Sequence, residues 1–153
     1  MMQLNHYLNF NGQAEAAFQF YQSIFGGEFT FLTRYSDVPP HDGVVLTEQE
    51  KQYILHISLE IQDNLVLMAS DAIEKFCTAA HTPFIVGSNH YISINLDKSE
   101  QAKAYEYYEK LTVNGAIEAA LDRTFWGALY GAFSDQFGVR WMINCQIDDP
   151  VEN

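Results

Sequence analysis

A chain of 153 residues with 48% hydrophobic residues, 11 Phe and 9 Tyr among them, is long and apolar enough for a sizeable core, which excludes a disordered composition. Eight Lys plus Arg against 20 Asp plus Glu give a net charge of -12. That field repels phosphate backbones and anionic lipid surfaces, so no nucleic-acid or membrane partner is expected, and a neutral or cationic small molecule fits better.

The chain opens on an alternating run, Asn5-His6-Tyr7-Leu8-Asn9-Phe10, which predicts a strand with Leu8 and Phe10 on one face and Asn5, Tyr7 and Asn9 on the other. Ala17, Phe20, Tyr21 and Ile24 recur at helical spacing, predicting a helix that ends at Gly26-Gly27. Strands are predicted over 28–35, 53–62 and 64–70, the last two joined by a tight turn at Asp63-Asn64. Between the first two lies a polar loop, 37–52, with Pro39-Pro40 and Gly43, read as a flap.

The pattern then repeats. Asn89-His90-Tyr91 heads a second alternating run to Leu96, and Asp97 with Glu100 supplies a helix start signal. Ala104, Tyr107, Tyr108 and Leu111 match the helical stripe of the first half, and Asn114-Gly115 matches its end. Strands over 116–121, 128–134 and 138–146 follow, the last pair joined by a turn at Gln136-Phe137-Gly138. The order is βαβββ, twice: module one about 1–71, a connection over 72–88, module two about 89–147, and an acidic tail over 148–153, all in one domain.

Each helix must cover one face of its own sheet, so strand parity sorts the side chains. His6 and His90 fall with the apolar, helix-facing set, which makes the repeated triplet a sign of duplicated strands rather than a ligand pair. The opposite face collects Tyr7, Asn9, His56, Ser58, Glu60, Tyr91, Asn95, Arg140 and Met142, with Trp126 just before a strand as a possible wall. On the third strand Leu55, Ile57, Leu59 and Ile61 form the helix-facing set. His56 is the candidate proton handler, although Glu60, four residues along, lies ~13 Å away and cannot form a direct dyad with it. The bland alternative is a histidine bonded to a neighbouring tyrosine. For Arg140 the choice is between fixing an anionic ligand and pairing with one of the many acidic residues. Gly127 and Gly131 suit turns or close packing. No glycine-rich nucleotide fingerprint occurs, which argues against a methyltransferase using S-adenosylmethionine. No Ser or Cys has a nucleophile's surroundings.

Paired βαβββ modules resemble the vicinal oxygen chelate superfamily of glyoxalase I, extradiol dioxygenases and the bleomycin- and fosfomycin-resistance proteins. The stretches 7–29, 56–71 and 124–144 are similar to its PhnB-like subfamily, sometimes labelled demethylubiquinone methyltransferase-like. The resemblance implies an α+β fold of curved mixed sheets around a cavity, a small-molecule ligand and a homodimer. In metal-dependent members His and Glu ligands come from first and last strands. Here those positions hold Asn5 (or His6) and Tyr91, then Leu67 or Met68 and Met142, a set ill suited to Mg, Mn or Fe. No metal and no cofactor are therefore expected.

The resulting expectation is a small-molecule binding protein without a metal. A glyoxalase-type lyase, isomerase or dioxygenase and an antibiotic-sequestering protein are the alternatives. A cytoplasmic setting is expected, because Cys77 and Cys145 match no zinc or redox spacing and Met1–Phe10 does not read as a signal peptide. No run approaches the ~18 apolar residues of a membrane span.

Overall fold

A computed structural model describes residues 2–76 and 84–148. The chain forms two compact units, Met1–Ile85 and Val86–Asn153. The first holds β1 (His6–Phe10), α1 (Ala14–Phe25), β2 (Glu28–Arg34), α2 (Glu48–Gln52), β3 (Ile54–Gln62) and β4 (Leu65–Asp71). The second holds β5 (Ile92–Leu96), α3 (Gln101–Leu111), β6 (Ala116–Arg123), β7 (Ala128–Ser134) and β8 (Arg140–Gln146). The class is α+β. Among the described residues no helix is long and apolar enough to cross a membrane.

Each unit contains a four-stranded mixed sheet, ordered β1-β4-β3-β2 in the first and β5-β8-β7-β6 in the second. The first strand pairs in parallel with the last, and the other pairs are antiparallel. The helix carries the chain across the sheet to its far edge, and three antiparallel strands then return to the start. Asn64 takes φ 66° in the turn between β3 and β4, and Gly138 takes φ 83° before β8, as the predicted turns require.

Burial follows the expected parity, with two corrections. The buried stripe of α1 is Ala14, Ala17, Phe18, Tyr21 and Ile24, so Phe18 and not Phe20 faces the sheet. The helix begins at Ala14, and the three-four spacing counted from there selects Phe18, while Phe20 falls on the flank. Phe18 meets Phe10 edge-on at 6.4 Å, and burying such a ring contributes about 1.5–3 kcal/mol. On β3, Ile57 and Leu59 are fully buried as expected, but the next buried residue is Ile54 rather than Leu55. The pairing with β2 slips between Thr33 and Arg34, and that irregularity flips the alternation. In the second unit α3 buries only Ala104 and Leu111, with Tyr107 and Tyr108 half-buried.

Two buried aspartates, missed by the periodicity argument, organise the units. The carboxylate of Asp71 accepts the backbone N–H of Ala14 at 3.0 Å and of Ile54 at 2.8 Å, fastening α1 and β3 to the end of β4. Asp135 accepts the N–H groups of Phe137 and Val139 and the indole N–H of Trp141, at 2.9, 3.1 and 2.9 Å.

The segment 37–52 is not a continuous loop. Its end is the short helix α2, started by Thr47, whose hydroxyl accepts the Glu50 N–H at 3.1 Å while Glu50 accepts the Thr47 N–H at 2.7 Å. The sequence Thr-Glu-Gln-Glu carries that signal, which the polarity of the stretch hid. Residues 77–83 of the expected connection, with Cys77, and 149–153 of the acidic tail lie outside the described residues.

Candidate functional site

The pairings define rows across each sheet. In the first unit Phe31, Ser58, Met68 and Tyr7 form one row, on the face away from α1. In the second, Ala119, Ala132, Met142 and Ser93 form the matching row. The match has an independent check: a Cβ on Gly27 would lie 2.2 Å from the Glu60 carbonyl, and one on Gly115 would lie 2.2 Å from that of Ser134. By this register Tyr7 is equivalent to Ser93, and Tyr91 to Asn5. The repeated Asn-His-Tyr triplets therefore do not superpose; the second stands two residues earlier, ahead of β5. An even shift preserves parity, so both tyrosines keep the same facing.

Tyr7, His56 and Ser58 come together in the first unit. The Tyr7 hydroxyl lies 2.9 Å from His56 Nδ1, and His56 Nε2 lies 2.9 Å from Ser58 Oγ. Tyr7 is 47% exposed and Phe31, 5.4 Å from the His56 ring, is 54% exposed, so aromatic surface surrounds a half-buried imidazole. Phe31 was missed because its strand also carries a slip, at Thr30, that hides the alternation. The relay has two neutral orientations. With Tyr7 donating to Nδ1, Nε2–H donates to Ser58 and the Tyr7 oxygen accepts from a ligand. With Nδ1–H donating, Ser58 donates to Nε2 and the Tyr7 hydroxyl donates outward. One constellation can thus serve a donor or an acceptor and can move a proton. Tyr7 and Asn9, the latter accepting from Ser70 at 3.1 Å, also line a cavity of about 530 Å³ with Tyr35, Phe76 and Phe84.

The second unit assembles a charged cluster instead. The Arg140 guanidinium donates to the Tyr91 hydroxyl and lies 2.6 Å from Glu118, and Tyr91 donates to Glu118 at 2.5 Å. Its carbon also sits 4.5 Å from the Tyr91 ring centroid. The Tyr91 hydroxyl, with the charge of Glu118, pushes the Arg140 pKa up from its already high value, so the cation is permanent. Pairing with an acidic residue, the bland reading of Arg140, is what the geometry shows. The partner was not legible from alternation, because Glu118 is the extra residue where β6 slips against β7 between Ile117 and Ala119. The rest of the expected set is spread out: Ser93 donates to Asn95 at 3.4 Å, and Trp126, 55% exposed, packs on Tyr130 and on the almost fully exposed Phe125. Glu60 stands opposite Glu28 near the far edge of the first sheet. A Cβ on Gly131 would come within 3.1 Å of Leu121, the close packing expected there.

Residues 3–143 match the model of the Glyoxalase/Bleomycin resistance protein/Dioxygenase superfamily. The chain belongs to that superfamily. It is similar to protein PA1353 from Pseudomonas aeruginosa, with 33% identity, coverage of 97% of this chain and 100% of that one, and a TM-score of 0.79. Protein YjdN of Escherichia coli K12 is 28% identical over 99% of this chain and 100% of its own length. A Bacillus cereus PhnB protein, described as a putative 3-demethylubiquinone-9 3-methyltransferase, shares the fold at TM-score 0.69 and 20% identity, covering 94% and 99%.

The superfamily's chelated metal can be tested against these side chains. Met68 and Met142 occupy equivalent central positions on the last strands, beside Tyr7 and Ser93. Thioethers and neutral hydroxyls do not supply the anionic oxygen that Mg, Mn or Fe requires. Among the described residues no three His, Cys, Asp or Glu side chains converge. The residues do not fit such an ion.

Proposed function

We propose that this superfamily member binds a small organic molecule in the first unit without a divalent metal, with Tyr7 and His56 as its polar handle. The observation that carries the reading is the Tyr7–His56–Ser58 relay, whose outer residue, Tyr7, also lines a cavity while its inner end is anchored on β3. A ligand is expected to lay its body on Tyr7 and Phe31 and to exchange hydrogen bonds with the Tyr7 hydroxyl and Asn9. If a reaction accompanies binding, His56 is the group placed to move a proton through Tyr7. The acidic charge favours a neutral or cationic molecule, and sequestration of a cationic compound is the form that reading takes if no turnover occurs.

A thermal-shift screen of neutral, cationic and anionic compounds tests this, because a ligand that binds only the folded state raises its melting temperature. For a compound so found, His56→Ala and Tyr7→Phe should each weaken binding at least roughly tenfold, a loss of about 1.4 kcal/mol. His6→Ala and His90→Ala should change it much less. Elemental analysis giving close to one zinc, nickel, iron or manganese per chain, lost on substituting His6 or His90, would replace this reading with the metalloenzyme one.

A further inference from the structure

The segment between β2 and β3, read from sequence as a flap, walls a cavity of its own. A half-open cavity of about 750 Å³ is lined by Tyr35, Val38, Pro39, Pro40, Val44, Leu46, Leu55 and Phe76, with Ser36, His41 and Lys51 at its polar points. That volume lies within the range of small-molecule sites. The flipped alternation of β3 finds its use here, since Leu55, turned away from the core, becomes part of the wall.

The wall is fixed in place. Arg34 holds Glu15 through two bonds of 2.9 and 2.8 Å and donates to the Gln52 carbonyl at 2.9 Å. The Tyr35 N–H reaches the Tyr53 carbonyl at 3.1 Å. Lys75 reaches in from beyond β4 to the Val45 carbonyl at 3.1 Å and to Glu50 at 2.6 Å. The segment is thus tied at its start, middle and end, and the cavity exists before any ligand arrives.

The lining selects the ligand's chemistry. Phe76 stacks on Tyr35 at 5.6 Å and 9° and on His41 at 5.7 Å and 24°, giving a flat aromatic side. Prolines and branched aliphatics line the rest. Lys51 is paired with Glu48 at 2.5 Å, and among the described residues no carboxylate lines the cavity, so neither an anion nor a cation finds an unpaired countercharge there. We infer that this cavity, which shares Tyr35 and Phe76 with the one that Tyr7 lines but is distinguished from it by His41, Val44 and Leu55, is a second binding site for a neutral, flat aromatic molecule.

The test titrates the full chain with N-phenyl-1-naphthylamine, a neutral aromatic dye that brightens in apolar surroundings. Saturable binding of one dye per chain is expected, with chemical-shift changes on the rings of Tyr35 and His41. Val44→Phe and Leu55→Phe, which fill the cavity, should each weaken binding roughly tenfold or more. Phe125→Ser, which removes the most exposed aromatic residue, should leave it unchanged. If Phe125→Ser abolishes the signal while the filled variants keep it, or if the Tyr35 and His41 resonances do not move at saturation, the inference is wrong. The shift measurement on the unaltered chain decides the matter even if a filled variant fails to fold.

Discussion

A carboxylate shut away from water has to find its donors in the protein, and each oxygen of Asp71 takes one, the first amide of α1 and the first of β3. Asp71→Ala should orphan both amides and cost about 2–3 kcal/mol in urea unfolding, well above the effect of an exposed carboxylate such as Asp42. Cys145 illustrates the opposite response to burial. Its thiol is buried against the Asp97 carbonyl, and desolvation, then the charges of Glu100 and Asp97, push its pKa up. A raised folded-state pKa favours the protonated form, so its stabilising effect is complete below the ordinary thiol value of about 8.5 and is lost as pH rises beyond it. In a Cys77→Ser background, Cys145 should react with a disulfide reagent at pH 8 at least roughly a hundredfold more slowly in the native state than in urea.

Among the elements, the segment leading into α2 depends on the electrostatics of one residue. Glu50 closes the capping box and accepts Lys75, and these bonds, Lys75 first and the Thr47 amide next, hold its carboxyl below the usual range. A lowered folded-state pKa means that the tie contributes above the ordinary carboxylate value of about 4.3 and fades as pH falls through the lowered one. Protection of the amides over 44–52, relative to their intrinsic exchange rates at the same pH, should therefore fall below about pH 4 while Ile57 and Leu59 stay protected. Glu50→Gln should show the same local loosening at pH 7. Equal loosening of β3 would mean that the segment is not an independent unit. The slips in β2 and β6 make a complementary point, for each displaces a residue, Thr30 or Glu118, from the ladder. Only the second delivers a charge, so one βαβββ frame carries a neutral relay and the other an ion cluster.

For the whole molecule, membership of the superfamily fixes the fold, and assembly is a proposal of ours. Phe125, Trp126, Ile117 and Val113 are all more than half exposed in the second unit, a surface that pairing would cover. We expect sedimentation at micromolar concentration to give twice the chain mass of 17.5 kDa, and a mass of one chain would count against it.

The sequence by itself determined the doubled βαβββ order, the strand facing and the placing of His56 beside Ser58, because alternation and three-four spacing are local and a buried face enforces them. It also made Met142, and Leu67 or Met68, visible as poor substitutes for carboxylates. Only the tertiary structure decided that Tyr7 closes on His56 across an intervening strand, that Glu118 neutralises Arg140, and that the two Asn-His-Tyr triplets sit one pleat out of register. Those facts depend on which strand lies beside which and on where a ladder slips by one residue. Pairing is settled by contacts distant in sequence, and a single slip inverts the facing of the residues beyond it.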